Sequence, residues 1–134
     1  MIPKFRVWDI DEEEMLYTEE SLVVYFCDAG IVATEPENPN KFFIEIENFE
    51  LMQSTGLKDK NGTEIYEGDI IQHSEKPNPV FKYPFEVVQF KTGEWRLDNF
   101  RGGTVLAYCN QDELEVIGNI FQNSELLEAD SHER

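Results

Sequence analysis

The sequence predicts an all-β protein, and three observations carry the prediction. Apolar residues recur in short runs, several with the two-residue period of a strand. Glycine, proline or asparagine closes nearly every run, and only the last stretch, Asn123-Ser124-Glu125-Leu126-Leu127-Glu128-Ala129, reads as helical. A chain of 134 residues holds one compact core, or two small sheets sharing one, so a single unit is expected. Within it an N-terminal β region covers 1–50, a barrel-like β region 51–122, and a short helix or turn with a frayed tail 123–134.

Lys4-Phe5-Arg6-Val7-Trp8 alternates as a strand, and Met15-Leu16-Tyr17-Thr18 is its antiparallel partner across the acidic loop Asp9 to Glu14. Asp9 or Asp11 could instead cap a helix, but Trp8, Tyr17 and Thr18 favour sheets. Leu22 to Cys27 is a continuous apolar run ending at Asp28-Ala29-Gly30, as in a buried strand. Ala33 to Lys41, with two prolines and two asparagines, is expected to be a loop. Phe42, Ile44 and Ile46 alternate with Phe43, Glu45 and Glu47, giving a strand with one dry and one wet face. Further strands follow at Phe85 to Phe90, Glu94 to Leu97, Thr104 to Tyr108 and Leu114 to Ile117, with a turn at Lys91-Thr92-Gly93. Three prolines between Glu75 and Pro84 exclude a central strand there. Asn123 or Ser124 would cap the terminal helix.

The stretch LMQSTGLKDKNGTEIYEGDIIQ, Leu51 to Gln72, raises the choice between chemistry and architecture. Asn61-Gly62 is the pair that accepts two positive φ angles, as a type I′ hairpin turn requires. Gly68 would bend the backbone sharply ahead of Ile70-Ile71 while Asp69 binds local amides, with Ile65 and Tyr66 packed beneath. Asn61, Gly62, Tyr66, Gly68 and Asp69 are therefore the structural motif: a loop and diverging turn that opens a small, strongly bent barrel. A calcium loop is disfavoured, because counting from Asp59 puts Glu64 where an EF-hand needs glycine and Ile70 where it needs glutamate. Asp59, Asn61, Thr63, Glu64, Glu67 and Asp69 then serve as loop chemistry.

Twenty-eight acidic residues against 11 basic ones give a net charge of −17. Such a field repels phosphate, and Lys4, Arg6, Lys58, Lys60, Lys76, Lys82, Lys91, Arg96 and Arg101 are scattered singly, so neither direct nucleic-acid binding nor membrane-surface binding is expected. The chain has neither an apolar run of membrane-spanning length nor a secretory leader pattern, which points to the cytoplasm. Cys27 and Cys109 lack neighbouring thiols and read as reduced, partly buried residues. His73, at a strand end, reads as a surface histidine and His132 falls in the tail, so no nucleophile has an evident base. Arg101-Gly102-Gly103-Thr104 reads as a turn, being too short for a phosphate loop. Trp8, Trp95, Arg6 and Arg96 are hot-spot residue types, although two tryptophans in a small β-protein usually pack. No catalytic residue, metal ligand or cofactor is assigned.

Three blocks carry a family resemblance: Phe5-Arg6-Val7-Trp8-Asp9, the stretch from Leu51 through Gly62 to Ile65-Tyr66-Glu67-Gly68-Asp69-Ile70, and Glu115 to Asn123 with Leu126-Leu127. In this order they resemble the YopX family of phage and prophage proteins. The resemblance implies an all-β fold of mixed sandwich and small-barrel character, with SH3-like barrel features in the C-terminal half, and a bacterial cytoplasmic setting. It implies no activity.

The expected role is that of a non-enzymatic accessory protein binding an unidentified, basic protein partner through an acidic surface. Its candidate residues are Asp9, Asp11, Glu12, Glu13, Glu14, Glu19 and Glu20, a run without lysine or arginine. A second expectation is an assembly component forming homo-oligomers through sheet edges. A metal-dependent hydrolase built on the carboxylates ranks last.

Overall fold

In the computed structural model, residues 4–20, 22–27, 30–36, 43–74 and 82–128 are described. The protein is all-β: among the described residues twelve strands form three antiparallel sheets, and the helical turns are 3₁₀. Contacts divide the chain into two compact units, Met1–Ser54 and Thr55–Arg134.

In the first unit β1 (Phe5–Asp9) and β2 (Glu14–Tyr17) form the expected hairpin, with Trp8 opposite Met15. The other side of β1 pairs with the first half of β6 (Phe49–Lys58), Val7 lying opposite Leu51. β3 (Val23–Cys27), β4 (Gly30–Pro36) and β5 (Phe43–Ile46) form a meander. The core between the two sheets consists of Val7, Leu22, Ala33 and Ile46, flanked by Leu16, Val24, Phe49 and Leu51. This is the sandwich part of the fold.

The loop expected from Ala33 is corrected, because β4 continues to Pro36. Ala33 lies between Val24 and Ile46, and Thr34 is buried too, so burial decides the conformation there. Pro36 is the last residue of the strand and lies beyond the Val23–Thr34 pair at which β3 stops, so β4 is an edge on that side there. The remainder of that expected loop, 37–41, lies outside the described residues.

In the second unit β7 (Glu64–Tyr66) is followed by β8 (Asp69–His73), β9 (Phe85–Gln89), β10 (Trp95–Asn99), β11 (Gly102–Val105) and β12 (Leu114–Asn119). Five of them form a sheet in the order β11-β10-β9-β8-β12. It curls around Ile65, Ile71, Phe85, Val87, Leu97, Leu106 and Leu114, a barrel-like core supported by Trp95, Cys109 and Val116. Burying each large apolar side chain is worth about 1.5–3 kcal/mol. A register shift between Val116 and Gly118 bends β12 and leaves Ile117 exposed.

Four further expectations are corrected. Thr104 to Tyr108 is a strand only to Val105; a 3₁₀ turn, Leu106–Tyr108, then buries Leu106 and exposes Tyr108. The terminal helix is a four-residue 3₁₀ turn, Ser124–Leu127, and no side-chain cap forms. The Asn123 amide oxygen instead accepts from the Asn119 amide at 3.1 Å, and a segment so short cannot repay the cost of α-helix nucleation. His73 is buried, its Nδ1 2.9 Å from the Ser74 carbonyl oxygen, because the strand places it on the inner side. Gly102 and Gly103 begin β11; the reversal lies just before them, where Asn99 Oδ1 accepts from the amides of Arg101 and Gly102.

Candidate functional site

Leu51 to Lys58 is not a loop: it belongs to the ten-residue β6, whose final residues enter the second unit. There the Thr55 hydroxyl donates to the Ile65 carbonyl at 2.7 Å. The reversal begins at Asp59. Gly62 N–H donates to the Asp59 carbonyl at 3.0 Å and Asp59 N–H to the Thr63 carbonyl at 2.9 Å. Gly62 has φ of 80°, but Asn61 does not, since Glu13 is the sole non-glycine with positive φ among the described residues. The turn is therefore not type I′. It is a tight reversal followed by one left-handed glycine, the other common hairpin solution.

The Asp59 carboxylate explains the difference. It is 1 % exposed, and Oδ1 accepts from the amides of Asn61 and Thr63 at 2.9 Å each, an arrangement in which Asn61 keeps a negative φ. Oδ2 accepts from Val116 N at 2.9 Å, fastening the turn to β12. Burial pushes the acid upward, but the amides of Val116, Thr63 and Asn61, with the charge of Lys60, outweigh it and hold Asp59 below its usual range. Asp69 works similarly, its Oδ2 accepting from Tyr66 N at 2.7 Å while Gly68, at φ of 85°, makes the bend. Ile65 and Tyr66 are buried. Asn61 and Gly62 thus lie in the turn that Asp59 organises, and Tyr66, Gly68 and Asp69 in the separate bend between β7 and β8. Asp59, legible in the sequence only as one of the loop acids, is the residue that organises the first turn; its signal was an aspartate two residues before Asn-Gly.

Of the acidic run, the structure gathers some residues and separates others. Asp9 is buried at the end of β1, and its Oδ1 accepts from the amides of Asp11 and Glu12 at 3.2 Å each. Asn48 Nδ2 donates to the Asp11 carboxylate at 3.0 and 3.3 Å, and Ile10 N to the Asn48 carbonyl at 3.0 Å. These bonds seat the hairpin tip beside the end of β5. The result is an open depression of about 360 Å³ lined by Asp9, Asp11, Glu12 and Glu14 on one side and Glu45, Ile46 and Glu47 on the other. Glu13 does not line it and occupies a left-handed backbone position, φ 52°. Neither do Glu19, which pairs with Lys4 at 2.9 Å, and the exposed Glu20. Glu45 and Glu47 were legible as the wet face of a strand, but not as neighbours of the hairpin.

The other singled-out residues have structural settings. Trp95 packs against the second core, and the Arg96 guanidinium lies 4.7 Å from the centre of the Phe90 ring. Arg6 is buried and Trp8 partly so. Cys109 is a partly buried thiol whose Sγ–H donates to the Val105 carbonyl at 3.7 Å; the Cys27 side chain and His132 lie outside what is described. No helix among the described residues is long and apolar enough to cross a membrane.

Comparison with known proteins supports the same frame. No curated protein matches the chain. Among solved structures, yopX from Bacillus subtilis is similar with a TM-score of 0.67 and 26% identity, over 93% of this chain and 98% of that one. Protein EF1440 from Enterococcus faecalis is similar with a TM-score of 0.63 and 31% identity, over 96% of this chain and 99% of that one. The family described as YopX protein matches residues 4–128, nearly the whole of the two units whose turns and strands are set out above. The chain belongs to the YopX family.

Proposed function

We propose that this chain is a phage or prophage accessory protein of the bacterial cytoplasm, which works by binding a protein partner with a basic surface and catalyses no reaction. The observation that supports this reading is the depression of the first unit, where the carboxylates of two separate segments converge around Ile46. Residues 1–54 hold 13 acidic side chains against 3 basic ones, so the field around the depression is strongly negative. Such a surface speeds encounter with a cationic partner and repels nucleic acid. Capture from host lysate at graded salt tests the reading. A specific partner should be retained at low salt and released progressively as salt rises, and Glu12, Glu13 and Glu14 changed together to Gln should slow its association. Equal retention by parent and variant, at every salt concentration, would overturn it.

A second reading, homo-oligomer assembly through a sheet edge, is favoured by β11. This strand, Gly102-Gly103-Thr104-Val105, lies at the margin of its sheet and carries neither charge nor proline. Assembly of this kind would resist salt, so sedimentation in high salt separates the two readings.

A further inference from the structure

A feature of the second unit calls for a different ligand surface. Glu86 on β9 and Asp98 on β10 are directly opposite one another in the antiparallel ladder, a pairing of like charges that destabilises a sheet. Glu67 adds a third negative charge. Among the described residues the charges that act on Glu86 are thus Asp98 and Glu67, and together with its burial they push its carboxyl above the usual range. Two cations among the described residues border this group: Arg96, whose Nε lies 3.5 Å from Asp98 Oδ1 and whose Nη1 lies 3.6 Å from Glu94 Oε1, and Arg101, whose guanidinium lies 5.6 Å from the centre of the Phe100 ring. Arg96 therefore shares itself between Asp98 and Glu94, and it stacks on Phe90.

The site is more than two acids. Glu86 and Asp98 lie in a groove of about 280 Å³ whose other walls are Asn99, Phe100 and Leu127. Phe100 is 45 % exposed, yet its ring is fixed edge-on against buried Tyr83 with centroids 4.7 Å apart. Asn99 Nδ2 donates to the Tyr83 carbonyl, which anchors the turn that carries Phe100. The Asp98 carboxylate occupies the space left by the glycine opposite it, because a Cβ on Gly103 would overlap its Oδ1 and crowd the Leu97 carbonyl. The groove thus joins an apolar wall on fixed backbone to a carboxylate pair, and its volume lies just under the roughly 300–1,000 Å³ of small-molecule pockets. Its chemistry complements one long side chain with an apolar stem and a cationic head.

We infer that this groove receives a lysine or arginine side chain from a basic segment of a partner protein, the stem lying against Phe100 and Leu127 and the head between Glu86 and Asp98. The bound cation relieves the repulsion built into the β9–β10 ladder, so docking and the carboxyl pair are coupled. The inference uses residues of the second unit only and stands apart from the acidic depression of the first.

The test is titration of the full chain with the capped tripeptide Ala-Lys-Ala, followed by NMR of side-chain carboxyl, methyl and aromatic signals. Saturable shifts are expected at Glu86, Asp98, Phe100 and Leu127. Acetylation of the peptide lysine should abolish them, and Glu86→Gln should weaken the affinity at least fivefold without lowering the unfolding midpoint. The variant with Glu12, Glu13 and Glu14 changed to Gln should bind the peptide at this groove as the parent does. Shifts confined to the hairpin residues Asp11 to Glu14, shifts unaffected by lysine acetylation, or unchanged affinity in Glu86→Gln would each overturn the inference.

Discussion

The two units use their carboxylates in opposite directions. In the second, Asp59 and Asp69 turn inward beside a core of seven apolar side chains and accept four backbone amides, those of Asn61, Thr63, Val116 and Tyr66. In the first, Asp9 is the one acid buried in this manner among the described residues, while Asp11, Glu12, Glu14, Glu45 and Glu47 face a depression. Residues 55–134 hold 15 acids and 8 bases, against 13 and 3 in residues 1–54. The difference teaches that an acidic composition is not one property: a carboxylate beside unpaired amides builds structure, whereas one beside other carboxylates builds field.

The comparison breaks most readily at Asp59. Asp59→Ala leaves buried amides without an acceptor, and a loss of about 3 kcal/mol is expected in urea unfolding followed through Trp95. The sign of its pH dependence follows from its lowered pKa. Its contribution is present above the ordinary aspartate pKa and is lost as pH falls through the folded value, so the stability advantage of the parent over Asp59→Ala should shrink as the solution is acidified. An Asp59→Ala unfolding midpoint equal to that of the parent would remove the inward role.

Glycine substitutions come next. Gly62→Val and Gly68→Val place a β-branched residue at φ of 80° and 85°, and each should cost about 1–3 kcal/mol in thermal or urea unfolding. If both variants unfold like the parent but lose a bound partner, the turns serve recognition and not architecture.

Glu86→Gln should act in the other direction, raising stability at neutral pH by about 0.5 kcal/mol because a like-charge pair disappears. Glu86 has a raised folded pKa, so its favourable contribution is complete below the ordinary glutamate value and is lost as pH rises through the folded one. The gain of the variant over the parent should therefore vanish in acid, which paired denaturation curves at neutral and acid pH will show.

The smallest effect on stability belongs to the combined change of Glu12, Glu13 and Glu14 to Gln. These side chains are exposed, and the expected change is within about 0.5 kcal/mol, read through Trp8. A large destabilisation would mean that the first unit, too, uses its outward acids to hold the backbone.

What the sequence made legible was governed by local chemistry. The β1–β2 hairpin, the positive φ at Gly62 and Gly68 and the Asp69 cap all depend on residues a few positions apart, where side-chain type restricts the backbone directly. Prolines misled at Ala33 and Thr34, whose burial against other strands outweighed the loop composition around them. His73 was misread because exposure is set by the sheet that closes over it. The convergence of Glu45 and Glu47 with the hairpin, and of Phe100 with Leu127, depends on strand order, which periodicity does not encode.

The double use of the Asp59 carboxylate also bears on how fast the second unit forms. Its bonds to Asn61 and Thr63 close within four residues, whereas the bond to Val116 joins positions 57 apart. Closing a flexible loop of that length carries an entropic cost on the order of 3–4 kcal/mol beyond its constant part. One oxygen can therefore organise its hairpin before the transition state while the other waits for β12 to arrive. Truncating the side chain should then act on both limbs of the chevron, slowing refolding through the local pair and hastening unfolding through the remote one.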